Sequence, residues 1–196
     1  MVEATENERK TFRQIAQRIR VPAGFVLAPL LLISAAPTWP TLAVGIGVAV
    51  VGLLIRAWAS GYLRKNLELA TSGPYAHTRN PLYLGTLLLG AGVSIAGGTL
   101  WFVALFASLY LAIYIPVMHA EAENLSRLFP EEFKDYSKRV PLLGLRLTPY
   151  RSPFNPGGAD KEKKYDFAQY LKHREYRALL GLLVVIALLV AKMLLG

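Results

Sequence analysis

The sequence predicts an all-α protein, a polytopic membrane helix bundle of about five transmembrane helices with its N-terminus in the cytoplasm. Three observations predict it. Of 196 residues, 54% are hydrophobic and the mean hydropathy is +0.35, yet the charges are clustered rather than spread. That combination belongs to chains divided between lipid and water. The apolar residues fall into five runs separated by short turns or charged loops. Finally, 21 of the 22 Lys and Arg lie on one side of those runs, with Lys192 the exception. Basic segments stay in the cytoplasm, so this bias orients the bundle.

Met1 to Arg20 is polar, with Glu3, Glu6 and Glu8 ahead of Arg9, Lys10, Arg13, Arg18 and Arg20. It lacks the basic-then-apolar pattern of a cleaved signal. Phe12, Ile15, Ala16 and Ile19 recur at helical spacing, as in an interfacial helix with a basic face. A solvated tail is the other reading. Val21 to Ala36 is the first apolar run, with Pro29 placed to kink it. The break Pro37-Thr38-Trp39-Pro40 follows. Thr41 to Tyr62 is the second span, and Gly45, Gly47 and Gly52 permit close helix packing. Arg56 near its end can snorkel to the interface or line a polar cavity, and snorkelling is the expectation.

Leu63 to Asn80 is a charged loop, Leu82 to Ile95 the third span, Ala96-Gly97-Gly98 a tight turn, and Thr99 to Met118 the fourth span. The hairpins are too short for anything but antiparallel neighbours. His119 to Arg177 is polar, with helical character through Tyr136 and a Pro- and Gly-rich stretch over Ser152 to Ala159. Asp166 to Arg177 reads as an amphipathic helix running without a break into the last span, Ala178 to Leu195. The chain is expected to be one domain: an interfacial helix over 1–20, a core over 63–150, a linker over 151–165, and an amphipathic helix plus last span over 166–196.

Composition narrows the chemistry. With no Cys there is no disulfide framework and no thiolate ligand or nucleophile. His77, His119 and His173 lie far apart without metal-ligand spacing, so no metal is expected. The net charge of +9 fits anionic lipid headgroups in a membrane protein, and no nucleic-acid partner is expected.

The stretch Gly73-Pro74-Tyr75-Ala76-His77-Thr78-Arg79-Asn80-Pro81-Leu82-Tyr83-Leu84-Gly85 concentrates polar and aromatic residues at a membrane boundary. Gly73-Pro74 is turn chemistry. Asn80-Pro81 reads as a helix start, with Asn as N-cap and Pro in the first turn. Such a start faces its positive end toward the loop and can meet an anion. A plain turn entering a helix is the alternative.

These residues resemble the Gly-Pro-Tyr…Arg-His-Pro-x-Tyr-x-Gly motif of the isoprenylcysteine carboxyl methyltransferase and phospholipid methyltransferase superfamily. A second block, Glu121, Glu123, Leu125, Phe129, Phe133, Tyr136 and Val140-Pro141, is similar to the family's Glu-Glu…Val-Pro pattern. Three positions depart from it: Asn80 replaces the family His, Ala122 splits the acidic pair, and Pro130 replaces the Gly after Phe129. An Asn cannot act as a base at neutral pH.

The resemblance implies a membrane enzyme that transfers a methyl group from S-adenosylmethionine at a cytoplasmic site. Its acceptor would be lipophilic: an isoprenylcysteine-like carboxylate or a lipid amine. It implies cofactor binding by Tyr75, His77, Arg79, Asn80, Pro81, Tyr83, Gly85, Glu121 and Glu123. Arg79 and the helix start would take the carboxylate, Glu121 the ammonium, and Tyr75, Tyr83 and His77 the adenine or ribose. The other reading of Glu121 and Glu123 is a solvated helix face beside Arg127. Glu121, Arg174 and Glu175 are the candidate catalytic residues. Arg146 and Arg151 are further candidates for placing the acceptor, unless all these loop residues merely meet headgroups or solvent. Two other functions stay open: an NADPH-dependent membrane reductase with a related Arg-x-Pro-x-Tyr block, and a non-catalytic membrane scaffold.

Overall fold

The computed structural model describes residues 22, 24–64, 67–154 and 165–195. The expected interfacial helix over 1–20 and most of the expected linker lie outside them. All regular structure among the described residues is helical. It comprises α1 (Gly24–Ser34), α2 (Trp39–Ser60), a 3-10 turn (Gly73–Ala76), α3 (Pro81–Ala96) and α4 (Leu100–Leu128), then α5 (Pro130–Arg139), α6 (Phe167–Lys172) and α7 (Tyr176–Leu195). By length and composition α2, α4 and α7 can cross a membrane, and α1 and α3 are shorter apolar helices. The five expected runs are therefore all helical, with three at spanning length, and the protein is an integral membrane helix bundle. The 16 residues of α3 rise about 24 Å, short of a hydrocarbon core of about 30 Å.

Side-chain size explains the central hairpin. Thr38 starts α2 through a reciprocal capping box with Thr41. Along α2, Gly45, Ala49 and Gly52 face Ala96, Gly92, Leu89 and Gly85 of the antiparallel α3. A methyl on Gly52 would stand 2.6 Å from the Gly85 carbonyl, and one on Gly92 would stand 2.5 Å from the Gly45 carbonyl. Only small residues let the backbones meet this closely, and dispersion between them is the attraction that survives in lipid.

The uncharged end of the bundle is laced by backbone groups. Ala36 N–H donates to the Gly97 carbonyl at 2.8 Å, and Thr99 Oγ1 donates to the Ser34 carbonyl at 3.1 Å. Lys192, the one basic residue off the charged side, reaches the carbonyls of Leu32 (2.6 Å) and Ile33 (2.8 Å) in the last turn of α1. A cation there satisfies carbonyls that the helix leaves open and meets its negative end. Leu189 of α7 is fully buried against Ala35, Leu42 and Ala96 one turn away.

The charged end differs from the sequence reading in two places. The helical region ending at Tyr136 is two helices, because α4 stops at Phe129 and Pro130 opens α5. The last segment is also broken. α6 ends at Lys172, Arg174 takes a left-handed backbone (φ 55°), and α7 starts at Tyr176. Beside α4 and α5, Leu69, Ala76, Phe133, Tyr136, Val140 and Tyr150 form a compact apolar cluster. It packs the second motif block under the first: Tyr136 Oη donates to the Tyr75 carbonyl at 2.7 Å, and Arg79 N–H to the Pro141 carbonyl at 2.9 Å.

Candidate active site

Gly73 takes positive φ (58°), as the Gly-Pro turn predicts, and lies against the Tyr62 ring where a side chain would clash. The turn buries Tyr75 and carries the chain through Arg79 into α3. Asn80 corrects the sequence reading. It stands at the N-cap position, but its side chain makes no capping bond and its Nδ2 instead donates to the Leu142 carbonyl at 2.9 Å. The side chain is spent tying α3 to the loop after α5.

A cavity of about 640 Å³ opens at this point, between the start of α3, the inner end of α4, and α5. Small-molecule sites commonly occupy such a size. Tyr75, Arg79, Asn80, Pro81, Tyr83 and Glu121 all line it, from elements far apart in sequence. Its apolar wall includes Val117, Met118, Leu125 and Phe133, and its other polar residues are Glu68, Asn124 and His173. Glu121 accepts a hydrogen bond from Tyr83 Oη at 2.7 Å. Tyr83 in turn packs on Tyr114 (5.4 Å between ring centres), which stacks on Tyr110 at 4.2 Å, and Tyr110 Oη donates to the Tyr83 carbonyl.

Arg79 is the most informative residue of the wall. Its Nε is buried without a hydrogen-bond partner, as is Thr78 Oγ1 beside it. A buried guanidinium donor left open is costly unless a ligand fills it. Burial holds the Arg79 pKa below its ordinary value, opposed by Tyr136. Tyr75 is pushed well above the ordinary phenol range by burial, so it is a neutral donor. The cavity therefore sets a partly buried cationic fork and a helix start on one wall against a carboxylate and aromatic rings on another. A zwitterion beside a flat ring system fits that pattern.

Six expected site residues lie elsewhere. His77 Nδ1 donates to the Arg146 carbonyl at 2.8 Å, which supports the loop rather than the cavity wall. Gly85 is in the α2–α3 seam, against Arg56 Cγ and the Gly52 carbonyl. Glu123 is on the exposed side of α4. Arg174 is exposed at the α6–α7 break. Glu175 is the partner of Arg56, not a residue of the cavity wall. Arg146 is held by Thr148 Oγ1 and the Arg139 carbonyl.

The snorkelling expectation for Arg56 is overturned. Its Nε and Nη2 donate to the two Glu175 oxygens at 2.9 and 3.0 Å, and Nη1 reaches Thr86 Oγ1 and the Leu82 carbonyl. Only 21% of the Arg56 side chain and 10% of the Glu175 side chain are exposed. A charge within an apolar run was the signal that could have revealed this pair; the partner, 119 residues away, could not be read. Glu68, Asn124 and His173 carried no signal in their spacing. Among the described residues no group of three or more His, Asp or Glu could hold a metal ion.

Comparison with known proteins bears on the same stretch. Residues 40–132 match the phospholipid methyltransferase family. A nickel-cobalt-cadmium resistance protein of Alcaligenes xylosoxydans xylosoxydans is 36% identical over 110 residues, 55% of this chain and 50% of the relative. A cobalt-zinc-cadmium resistance protein of Cupriavidus metallidurans is 37% identical over 142 residues, 67% of this chain and 64% of the relative. The match thus spans half to just under two thirds of these curated relatives. No solved structure matches the chain. The family match contains the start of α3 and Glu121 but ends before Tyr136, α6 and α7.

Proposed function

We propose, from the match of residues 40–132 to the phospholipid methyltransferase family, that this chain transfers a methyl group from S-adenosylmethionine to a lipophilic acceptor. The observation that carries the cofactor assignment is the open, buried Arg79 Nε in a cavity shared with Glu121. S-adenosylmethionine supplies an electrophilic methyl on a sulfonium. Arg79 and the first N–H groups of α3 would hold its carboxylate. Glu121, fixed by Tyr83 Oη, would hold its ammonium. Tyr75 and the apolar wall would border the adenosine.

The protein needs no nucleophile of its own. It must align donor and acceptor and keep water away. Leu82 of α3 and Val117 and Met118 of α4 give the cavity an apolar lining from two apolar helices, which suits an acceptor delivered from lipid. The site is at the charged end of the bundle, which we place on the cytoplasmic face of the inner membrane.

Calorimetry on the purified chain in detergent tests the reading. S-adenosylmethionine and S-adenosylhomocysteine should bind, and NADPH should not, because its phosphates would face Glu121. Arg79→Ala and Glu121→Gln should each weaken binding by about 1.5–3 kcal/mol, the usual worth of a hydrogen bond to a charged group. Their effects should be less than additive if both hold one amino-acid moiety. Tight NADPH binding that survives Glu121→Gln would indicate a reductase. No nucleotide binding by folded protein would indicate a scaffold.

A further inference from the structure

His173, Arg174 and Glu175 are three consecutive residues that each do something unusual. His173 lines the cavity, although it lies outside both motif blocks. Its Nε2 is 3.3 Å from the Leu63 carbonyl. A carbonyl only accepts, so Nε2 carries the hydrogen, and in the neutral ring Nδ1 is the free acceptor. Arg174 is the one non-glycine residue with positive φ among the described residues. Such a backbone is strained for a non-glycine residue and persists where its surroundings enforce it. Glu175 supplies the enforcement through its two-pronged pair with Arg56, itself braced on α3 by Thr86 and Leu82. The break between α6 and α7 thus turns Glu175 toward α2 and leaves His173 at the cavity.

We propose that His173 is the proton acceptor for an amine or thiol methyl acceptor, and that Arg56 and Glu175 are positioning residues that hold it there. This rests on the methyltransferase reading above. Asn80 cannot serve as that proton acceptor. In the step, the acceptor nitrogen or sulfur forms the new bond to the methyl carbon as the carbon–sulfur bond of the donor breaks. That bond's electrons remain on sulfur, which leaves as a neutral thioether. The acceptor's proton passes to His173 Nδ1 and then to solvent. A carboxylate acceptor would have no proton to give and would make no use of this histidine.

Four full-length proteins test it: wild type, His173→Gln, Glu175→Gln and Glu175→Asp. Each is titrated with S-adenosylhomocysteine, incubated with labelled S-adenosylmethionine and a membrane lipid extract, and separately treated with diethylpyrocarbonate, with modification of the His173 peptide followed by mass spectrometry. His173→Gln should bind S-adenosylhomocysteine as the wild type does, while labelled product falls by roughly 10²-fold or more. That product should be an N-methyl or S-methyl compound. Glu175→Gln keeps an oxygen for Arg56 and should fold. In it the His173 peptide should react several-fold faster and turnover should fall, with both partly restored in Glu175→Asp.

Wild-type turnover by His173→Gln overturns the proton role, as does a methyl ester product. Unchanged His173 reactivity in Glu175→Gln overturns the positioning role. Failure of the wild type to bind S-adenosylhomocysteine overturns the methyltransferase reading and this inference with it; the binding measurement separates that result from the others.

Discussion

A guanidinium in an apolar helix must either reach water or find a partner, and Arg56 finds one. Removing one member of a buried ion pair strands the other, at a typical cost of about 3–5 kcal/mol, whereas replacing both by apolar groups costs far less. Arg56→Leu should therefore lower the detergent unfolding midpoint sharply, and Arg56→Leu with Glu175→Leu should recover much of it. Equal destabilisation by the single and double variants would mean that the pair contributes no coupling. Tyr136 poses a smaller case. Its hydroxyl satisfies the Tyr75 carbonyl inside the apolar cluster. Tyr136→Phe should cost about 1–3 kcal/mol by leaving that acceptor buried and unpaired. Denaturant unfolding in detergent measures this.

At the level of elements, α2 and α3 touch through backbone because their facing positions are Gly45, Ala49, Gly52, Gly85, Gly92 and Ala96. Gly92→Val would drive methyls into the Ala49 backbone, so the helices must separate. Overpacking of this kind costs about 1–3 kcal/mol or more. Gly47→Val faces open space and should be tolerated. Comparable thermal midpoints for the two variants would refute the seam. The cluster beneath the motif turn carries a pH signature. Burial, and then its hydrogen bond to Asp135, pushes the Tyr150 pKa up from 10.0 to about 12. A pKa raised by folding means that the folded state favours the protonated phenol. That stability is complete below about pH 10 and drains away as pH rises toward 12. Unfolding midpoints should fall over this window, and more gently in Tyr150→Phe.

For the whole molecule, the charged loops gather at one end and the uncharged turns at the other, and the prediction is that the charged end is cytoplasmic. Single cysteines at Thr38 and Gly97 should label from outside intact cells, and one at Ser72 should not; outside labelling at Ser72 would reverse the orientation. Lys192, the exception in the charge count, caps α1 at the uncharged end. The five apolar runs, the hairpins and the helix start at Pro81 were legible in the sequence. Lipid permits only long apolar helices with satisfied backbones, and short uncharged turns force neighbours together. The pairing of Arg79 with Glu121 around one cavity was legible through the family motif. Spacing on one helix can be counted, but the approach of two distant helices cannot. For that reason the partner of Arg56, the bond that draws Asn80 away from its cap, the left-handed break at Arg174 and the arrival of His173 in the cavity wall were decided only when α2, α3, α7 and the loop after α5 packed together.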